Sequence, residues 1–362
     1  MADSGVLVTG ANGFFGLHLL QQLQQLGVAP LKALVRAETV YGAWQRLKLA
    51  EQQHQLALER EDLEVVPCDL SLPDCGLSEE SRDHLLEGID TLVNAGACVN
   101  FTASPEQLMR TNAGGTTQLL AMASTAGIRR FLQVSSLAVC NGFNLSDQHP
   151  VPEAPLNEQP KAGLSSYGQS KLAAEQSCYR FAAEGLGVSV LRLPYLLASG
   201  SSFALNPHGY LDVVLRAALS IGASFDDVFS LHALPVDLCA RWVARMVLAP
   251  EVPLVVHVVS DPPVEWRDWI DAASALGEPL RLEPMEQWYG RLRKAAAASR
   301  SPDLLAAIAF LSLETTHKRW MHVNAHRLSF DNPNLCSLVP KAAVPLELSM
   351  DYLQTVLRQL AT

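Results

Sequence analysis

Tyr167 and Lys171 stand four apart in Ser165-Ser166-Tyr167-Gly168-Gln169-Ser170-Lys171, and upstream a hydroxyl pair, Ser135-Ser136, closes the apolar run Phe131-Leu132-Gln133-Val134. If a helix begins at this point, that spacing puts the phenol and the ammonium on one face. These residue types suit the reduction of a carbonyl. A tyrosine can give a proton to the oxygen while hydride reaches the carbon, and a nearby ammonium is expected to stabilise the phenolate and draw its pKa down. Ser136 can donate a second hydrogen bond to the same oxygen. A Tyr-x-x-x-Lys pair alone is common in cores and on surfaces; here it accompanies a turn of the kind that holds phosphates.

Residues 5–9 form a short, mostly apolar run that leads directly into Gly10-Ala11-Asn12-Gly13-Phe14-Phe15-Gly16. Leu19, Leu20, Leu23 and Leu26 then recur at helical spacing as far as Gly27. Strand, glycine turn and helix in that order leave room for a pyrophosphate at the helix N-terminus, although glycines also serve ordinary turns. Strands at 31–35, 63–66, 89–93 and 130–134 alternate with helices at 41–58 and 106–126. Short apolar strands separated by helices imply an α/β protein with a Rossmann-type, doubly wound parallel sheet.

The end of the second strand is where an acidic residue would suit NAD and a cation the extra phosphate of NADP. Arg36 stands there, with Arg46 and Lys48 following on the next helix. The alternative is a solvated basic turn, and Glu38 two places later weighs against NADP. Asp69 and Leu70 follow the third strand, where a carboxylate or its backbone can meet an adenine amino group. Asn94-Ala95-Gly96-Ala97 ends the fourth, small residues that would let a flat ring and sugar lie close; both could equally be tight loop chemistry.

Taken together these motifs resemble an extended short-chain dehydrogenase/reductase, and more narrowly the thioester reductase domains of nonribosomal peptide and polyketide synthetases, related to the reductase part of carboxylic acid reductases. The likeness runs through TGANGFFG (9–16), LVRA (34–37), CDLSLPDCGLSEE (68–80), NAGACVN (94–100), TNAGGTTQLL (111–120), VSSLAV (134–139), YGQSK (167–171), LRLPYLLA (191–198) and LPVD (234–237). It implies Ser136, Tyr167 and Lys171 as catalytic residues. It implies cofactor contacts at Thr9, Gly10, Asn12, Gly13, Phe14, Phe15, Gly16, Asp69, Leu70, Asn94, Ala95, Gly96, Tyr167, Lys171, Pro194 and Leu196, with Arg36 and Arg46 on a 2′-phosphate. Asn112 matches an asparagine that reads more as structural support than as chemistry. Asn94 stands where relatives often carry histidine, Cys68 where glycine is usual, and Cys140-Asn141 where small residues are common.

The activity so implied is NADPH-dependent release of a carrier-bound acyl or peptidyl thioester as an aldehyde, with further reduction to a primary alcohol open. The implied partner is a phosphopantetheine-loaded carrier protein, and the domain itself is expected to be monomeric. An epimerase or dehydratase acting on sugar nucleotides, a small-carbonyl reductase, and a non-catalytic NADP-binding scaffold are the alternatives that the same fold and motifs leave open.

After Pro194 the pattern changes. Residues 1–198 are read as the cofactor domain, its sheet completed by about 232–262, and residues 199–231 and 263–362 as a smaller, mainly helical substrate- and carrier-binding lobe. Helices are expected at 210–221, 266–276, 291–298, 304–313 and 346–360. Trp288 and Trp320 read as packing residues. Arg291, Arg293 and Lys294 offer a candidate patch for an acidic carrier, or a merely solvated helix face.

Composition sets outer bounds: 362 residues, 49% apolar and 18% charged, describe a folded protein able to bury a core. Twenty-seven Lys and Arg against 37 Asp and Glu leave a formal charge of −10, which argues against a nucleic-acid or anionic-lipid surface. Seven scattered cysteines without a CxxC pair suggest a reducing, cytoplasmic setting. His317 and His322 lack a third well-spaced ligand, so no metal is expected. No apolar stretch is long enough to span a membrane.

Overall fold

The computed structural model describes residues 5–100, 103–143, 150–156, 164–206, 209–226, 230–315, 328–343, 346 and 348–361. Six strands, β1 (Gly5–Thr9), β2 (Leu31–Arg36), β3 (Leu63–Cys68), β4 (Ile89–Asn94), β5 (Arg130–Ser136) and β6 (Gly187–Leu193), join a seventh, Val255–His257, in one parallel sheet. Across the sheet the order is seventh, β6, β5, β4, β1, β2, β3. β1 is buried along its whole length and β2 up to Arg36, as expected of strands covered on both faces.

The chain leaves β1 toward β2 and later returns on the other side of it as β4, so the strand order reverses between β1 and β4. A crevice opens at such a reversal, outside the carboxyl ends of the strands, and it is where open α/β sheets take ligands. Thr9 pairs with Asn94, Asn94 with Gln133, and Ser136 with Leu193, which sets these strand ends along one edge.

Helices α1 (Phe14–Gln25), α2 (Val40–His54), α3 (Glu79–Leu86), α4 (Pro105–Leu108), α5 (Gly115–Thr125) and α6 (Ser166–Ala183) connect these strands. Thr39 caps α2 by accepting from Gly42 N at 3.1 Å, and Ser165 caps α6 by accepting from Gly168 N at 3.1 Å. The helix expected over 106–126 is not continuous. A π-helical turn, Met109–Gly114, separates α4 from α5. Just past this turn, a Cβ at Gly115 would sit 2.8 Å from Leu70 O, so α5 meets the β3 exit through a glycine.

Two compact units emerge. The first is Met1–Pro194, Val236–Val259 and Phe330–Ala343; the second is Tyr195–Pro235, Ser260–Ser329 and Val344–Thr362. The division differs from the expected one at several points, with residues 232–235 and 260–262 falling in the second unit rather than the first. Residues 195–198 fall in the second unit, because Tyr195–Leu197 pairs with Ala233–Pro235. Phe330–Ala343 falls in the first, because Asn332 Nδ2 donates to Val259 O (2.9 Å), Asn334 Nδ2 to Val255 O (2.9 Å), and Asp331 N to Val151 O (2.9 Å). Pairings between residues so far apart in sequence leave no periodic trace.

The second unit carries helices Tyr210–Ile221, Trp266–Ala275, Met285–Ser299, Pro302–Thr315 and Met350–Ala361. Trp288 is fully buried, its indole donating to Ala223 O at 2.8 Å and its ring edge-on to Phe225 at 5.0 Å. Arg291 is not a free member of a basic patch. It grips Glu283 with Nη2 at 2.7 Å and Nε at 3.0 Å, and Arg281 bonds the same carboxylate at 2.8 Å, leaving Arg293 and Lys294 exposed. Trp320, His317 and His322 lie outside the described residues.

Asp212, on the first turn of Tyr210–Ile221, is buried, and its Oδ2 has no hydrogen-bond partner among the described residues. Burial pushes its carboxyl up to about 7, against bonds from the Asn206 backbone and the Tyr195 hydroxyl and the charge of Arg216. A carboxyl raised in the folded state binds its proton more tightly folded than unfolded. Its contribution to stability is therefore present at low pH and lost as pH rises toward 7. Asp212→Asn should raise stability at pH 8 by about 2–4 kcal/mol and change it little at pH 4, a contrast that urea unfolding at the two pH values measures directly.

Candidate active site

The glycine turn folds tightly onto the neighbouring strand exit. Gly10 has φ +64°, and a Cβ there would lie 2.6 Å from Gly96 Cα; a Cβ at Gly16 would lie 2.2 Å from Gly10 O. Both positions therefore exclude side chains. Gly13 is the N-cap of α1, where no side chain caps the helix and no acidic residue occupies the first turn. The uncapped N–H groups and positive dipole end of α1 fit a pyrophosphate. Asn12 is half-buried and Gly13 exposed, while Phe15 and Gly16 pack inward. Phe14 rests against His18 and His54, with ring centroids 5.3 and 5.1 Å away.

Thr9 and Asn94 turn out to be buried members of a bonding network. Thr9 Oγ1 donates to Asn94 Oδ1 at 2.6 Å and accepts from Gly96 N at 2.9 Å, while Asn94 Nδ2 donates to Thr116 (3.0 Å) and Gln133 (2.9 Å). Their side chains hold the Ala95-Gly96 backbone in place against Gly10. Leu70 is packed between Gly96 and Gly115, and Asp69 Oδ1 accepts from Ser71 N (2.8 Å) and Ser71 Oγ (2.7 Å), shaping the β3 exit loop. Arg36 and Arg46 are exposed, and neither has an ion pair among the described residues. Pro194 is buried at the end of the first unit, and Leu196, half-buried, belongs to the second.

Asn112 is a brace. From the π-helical turn its Oδ1 accepts from Cys98 N at 2.7 Å, and its Nδ2 donates to Cys98 O (3.1 Å) and Ser170 Oγ (2.9 Å). Ser170 in turn donates to Tyr167 O at 2.7 Å. The β4 exit is thereby bolted to the first turn of α6, which carries Tyr167. A π turn at such a place re-aims a side chain that a regular helix would point elsewhere.

Ser135 and Ser136 face opposite ways from β5, as successive strand residues must. Ser135 is buried on Glu175, whereas Ser136 is half-buried and its Oγ accepts from Ala138 N at 3.2 Å. A half-buried hydroxyl at the strand end can still turn its proton toward a bound carbonyl. Tyr167 is also half-buried, and Lys171 is buried with Nζ donating to Val134 O at 2.6 Å.

The expected lowering of the tyrosine pKa by the lysine is not what this geometry produces. Burial pushes the Tyr167 phenol up to about 12, and the Cys98 thiol adds to the rise. Burial pulls Lys171 down to about 8, against the opposing influence of Glu175 and Cys178. Desolvation is the largest influence on each group, so at neutral pH Tyr167 is a protonated phenol and Lys171 is close to its titration range.

Residues 8–243 match the NAD-binding family described as male sterility protein. The chain belongs to that family. Isonitrile lipopeptide synthase of Streptomyces coeruleorubidus is 33% identical over 299 residues, covering 81% of this chain and 20% of that protein. The L-2-aminoadipate reductase large subunit of Candida glabrata is 28% identical over 328 residues, covering 82% of this chain and 23% of that protein. The chain thus spans about a fifth of the length of these curated relatives. The crystal structure of the terminal R domain from the myxalamid PKS-NRPS biosynthetic pathway superposes with a TM-score of 0.88 at 25% identity, covering 99% of this chain and 91% of that one.

Family membership makes this an NAD(P)-binding fold. Thr116, Gln133 and Ser170, which bond to Asn94 and Asn112, carry no motif of their own in the sequence, and neither does the buried group Glu175, Arg192 and His257. Among the described residues no cluster of His, Cys, Asp or Glu could hold a metal, and no helix is long and apolar enough to cross a membrane.

Proposed function

We propose that this chain releases an acyl or peptidyl group from the phosphopantetheine thiol of a carrier protein by NADPH-dependent reduction of the thioester to an aldehyde. A further round of reduction would give the primary alcohol. The observation that carries the reading is the arrangement of Ser136, Tyr167 and Lys171 at the carboxyl edge of the sheet that also bears the glycine turn. The likeness to the reductase relatives narrows the carbonyl to a thioester.

Bound NADPH supplies the hydride. Tyr167 holds the proton that the carbonyl oxygen receives as the carbon is reduced, and Ser136 donates a second hydrogen bond to that oxygen. The hemithioacetal then collapses: the C–S bond breaks, the carbonyl re-forms, and the departing sulfur takes up a proton. Lys171 supplies positive charge beside the phenol and a donor for the nicotinamide ribose. Arg36 at the end of β2 and Arg46 on α2, both exposed, supply cations for a 2′-phosphate. Ala95 and Gly96 leave space beside the turn, with Thr9, Asn94 and Asn112 as supports.

The same acyl group is to be offered on a loaded carrier protein and on free pantetheine, with aldehyde and alcohol quantified against NADPH consumed. Carrier attachment should raise kcat/KM at least about tenfold, equivalent to about 1.4 kcal/mol of added recognition. Equal kcat/KM for the two substrates would remove the carrier from the proposal, and release of free acid without NADPH consumption would remove the reduction.

A further inference from the structure

Glu175 lies four residues beyond Lys171 on α6, on the same helical face. Its carboxylate and the Arg192 guanidinium are both fully buried. Arg192 grips it as a fork, Nε donating to Oε1 at 3.1 Å and Nη2 to Oε2 at 2.8 Å. Ser135 Oγ donates to Oε1 at 2.5 Å and Tyr179 OH to Oε2 at 2.6 Å. On the other side, Arg192 Nη1 meets His257 Nε2 at 3.2 Å. A guanidinium can only donate, so Nε2 accepts and the imidazole proton sits on Nδ1, which faces Asp331 O at 3.0 Å.

This chain of bonds crosses α6, β5, β6 and the seventh strand, all in the first unit, and the chemistry above makes no use of it. Its α6 end touches the immediate neighbours of two proposed catalytic groups: Ser135 precedes Ser136, and Glu175 follows Lys171 by one turn. We propose that Glu175, clamped by Arg192, is a positioning residue that fixes the Ser136 end of β5 against the Lys171 turn of α6.

The inference rests on Ser136, Tyr167 and Lys171 being the reducing set. β5 is held to α6 at two successive residues, through Val134 O on Lys171 and through Ser135 Oγ on Glu175. With Ser135 locked inward, strand alternation sets the direction in which Ser136 leaves β5. The carboxylate also acts through its field, as the first of the influences opposing the desolvation of Lys171.

The other titratable groups in this neighbourhood do not compete. Burial pushes the thiols of Cys178 and Cys140 and the phenols of Tyr179 and Tyr167 upward, so they are neutral at physiological pH. The His257 tautomer is neutral as well. Glu153 accepts from His257 N at 2.7 Å, at the end of the bonding chain away from Lys171, whereas Glu175 is the carboxylate on Lys171's own face.

Glu175→Gln keeps the shape of the side chain and deletes its charge. In protein labelled with 13C at lysine, with the Lys171 signal assigned from Lys171→Gln, the titration midpoint of Lys171 should fall by about one pH unit. In carrier-thioester turnover kcat should drop about 10- to 100-fold with KM within about threefold, and the alkaline limb of the pH profile should move to lower pH with the midpoint. Glu175→Asp should restore the midpoint but not kcat, since the shorter stem keeps the charge and loses the grip on Ser135. Should Glu175→Gln fail to fold, Glu175→Met with Arg192→Met removes both charges without leaving either unpaired and serves the same comparison. An unchanged midpoint and kcat in a folded variant, or an effect limited to thermal stability, overturns the proposal. A parent protein that reduces no thioester defeats the functional reading instead, and the NMR midpoint still decides whether Glu175 governs Lys171.

Discussion

Tyr167→Phe is expected to lower kcat for thioester reduction by about 100- to 10,000-fold while leaving NADPH affinity within a few-fold. The substitution keeps the ring at the start of α6 and removes only the hydroxyl proposed as the proton donor. With the phenol pushed up to about 12, the donor form persists through the neutral range, so the tyrosine does not set the alkaline limit of activity. Lys171, pulled down to about 8, is expected to set it: its ammonium is present below that pH and lost above it, and kcat should decline as pH rises through this region. Ser136→Ala should impair kcat as well, without moving that limit. Steady-state kinetics over pH 6 to 10, with NADPH binding followed by fluorescence, separates these effects. Near-parental turnover in a folded Tyr167→Phe protein that binds NADPH would exclude the phenol as proton donor.

The parts of this site that were legible in the sequence are those whose residue type is dictated locally. Gly10 must adopt positive φ and Gly16 must let α1 lie on the turn, so no other residue type fits and the motif is written out in the chain. The helical spacing of Tyr167 and Lys171 and the alternation of apolar runs with helices are local in the same sense. The fold's main sheet followed from that alternation.

What stayed hidden depends on contacts between distant residues. Asn94 looked like a small residue at the mouth of the sheet, yet its amide is consumed by Thr9, Thr116 and Gln133, each from a different element. The expected helix is broken at Met109–Gly114, where Asn112 bonds to Cys98 and Ser170, contacts that no local pattern reveals. The lysine was expected to acidify the tyrosine because spacing reveals proximity but not burial, and burial governs both groups here. Glu175 did carry a local signal, its four-residue offset from Lys171, whereas Arg192 and His257 had none.

Arg36→Ala should reduce kcat/KM with NADPH by about 10- to 100-fold and leave kcat/KM with NADH nearly unchanged. Loss of a charge-assisted contact to phosphate costs about 1.5–3 kcal/mol, which sets that range. The expectation rests on an exposed guanidinium at the end of β2 with no ion pair among the described residues, and on Arg46 exposed on α2. Because Arg46 can contribute a second charge, Arg36→Ala with Arg46→Ala should abolish the preference for NADPH. Comparable kcat/KM with NADH in the parent would contradict the cofactor assignment, and an unchanged preference in the single variant would remove Arg36 from it.

Hydride delivery to a carrier-bound thioester carbonyl can be followed by incubating an acylated carrier protein with NADPH deuterated at the transferable C4 position and analysing the released product by mass spectrometry. The expected product is an aldehyde with one deuterium at C1, or a primary alcohol with two, with NADPH consumed in the same proportion. Release of the acyl group as an acid or a cyclised product without deuterium would contradict it.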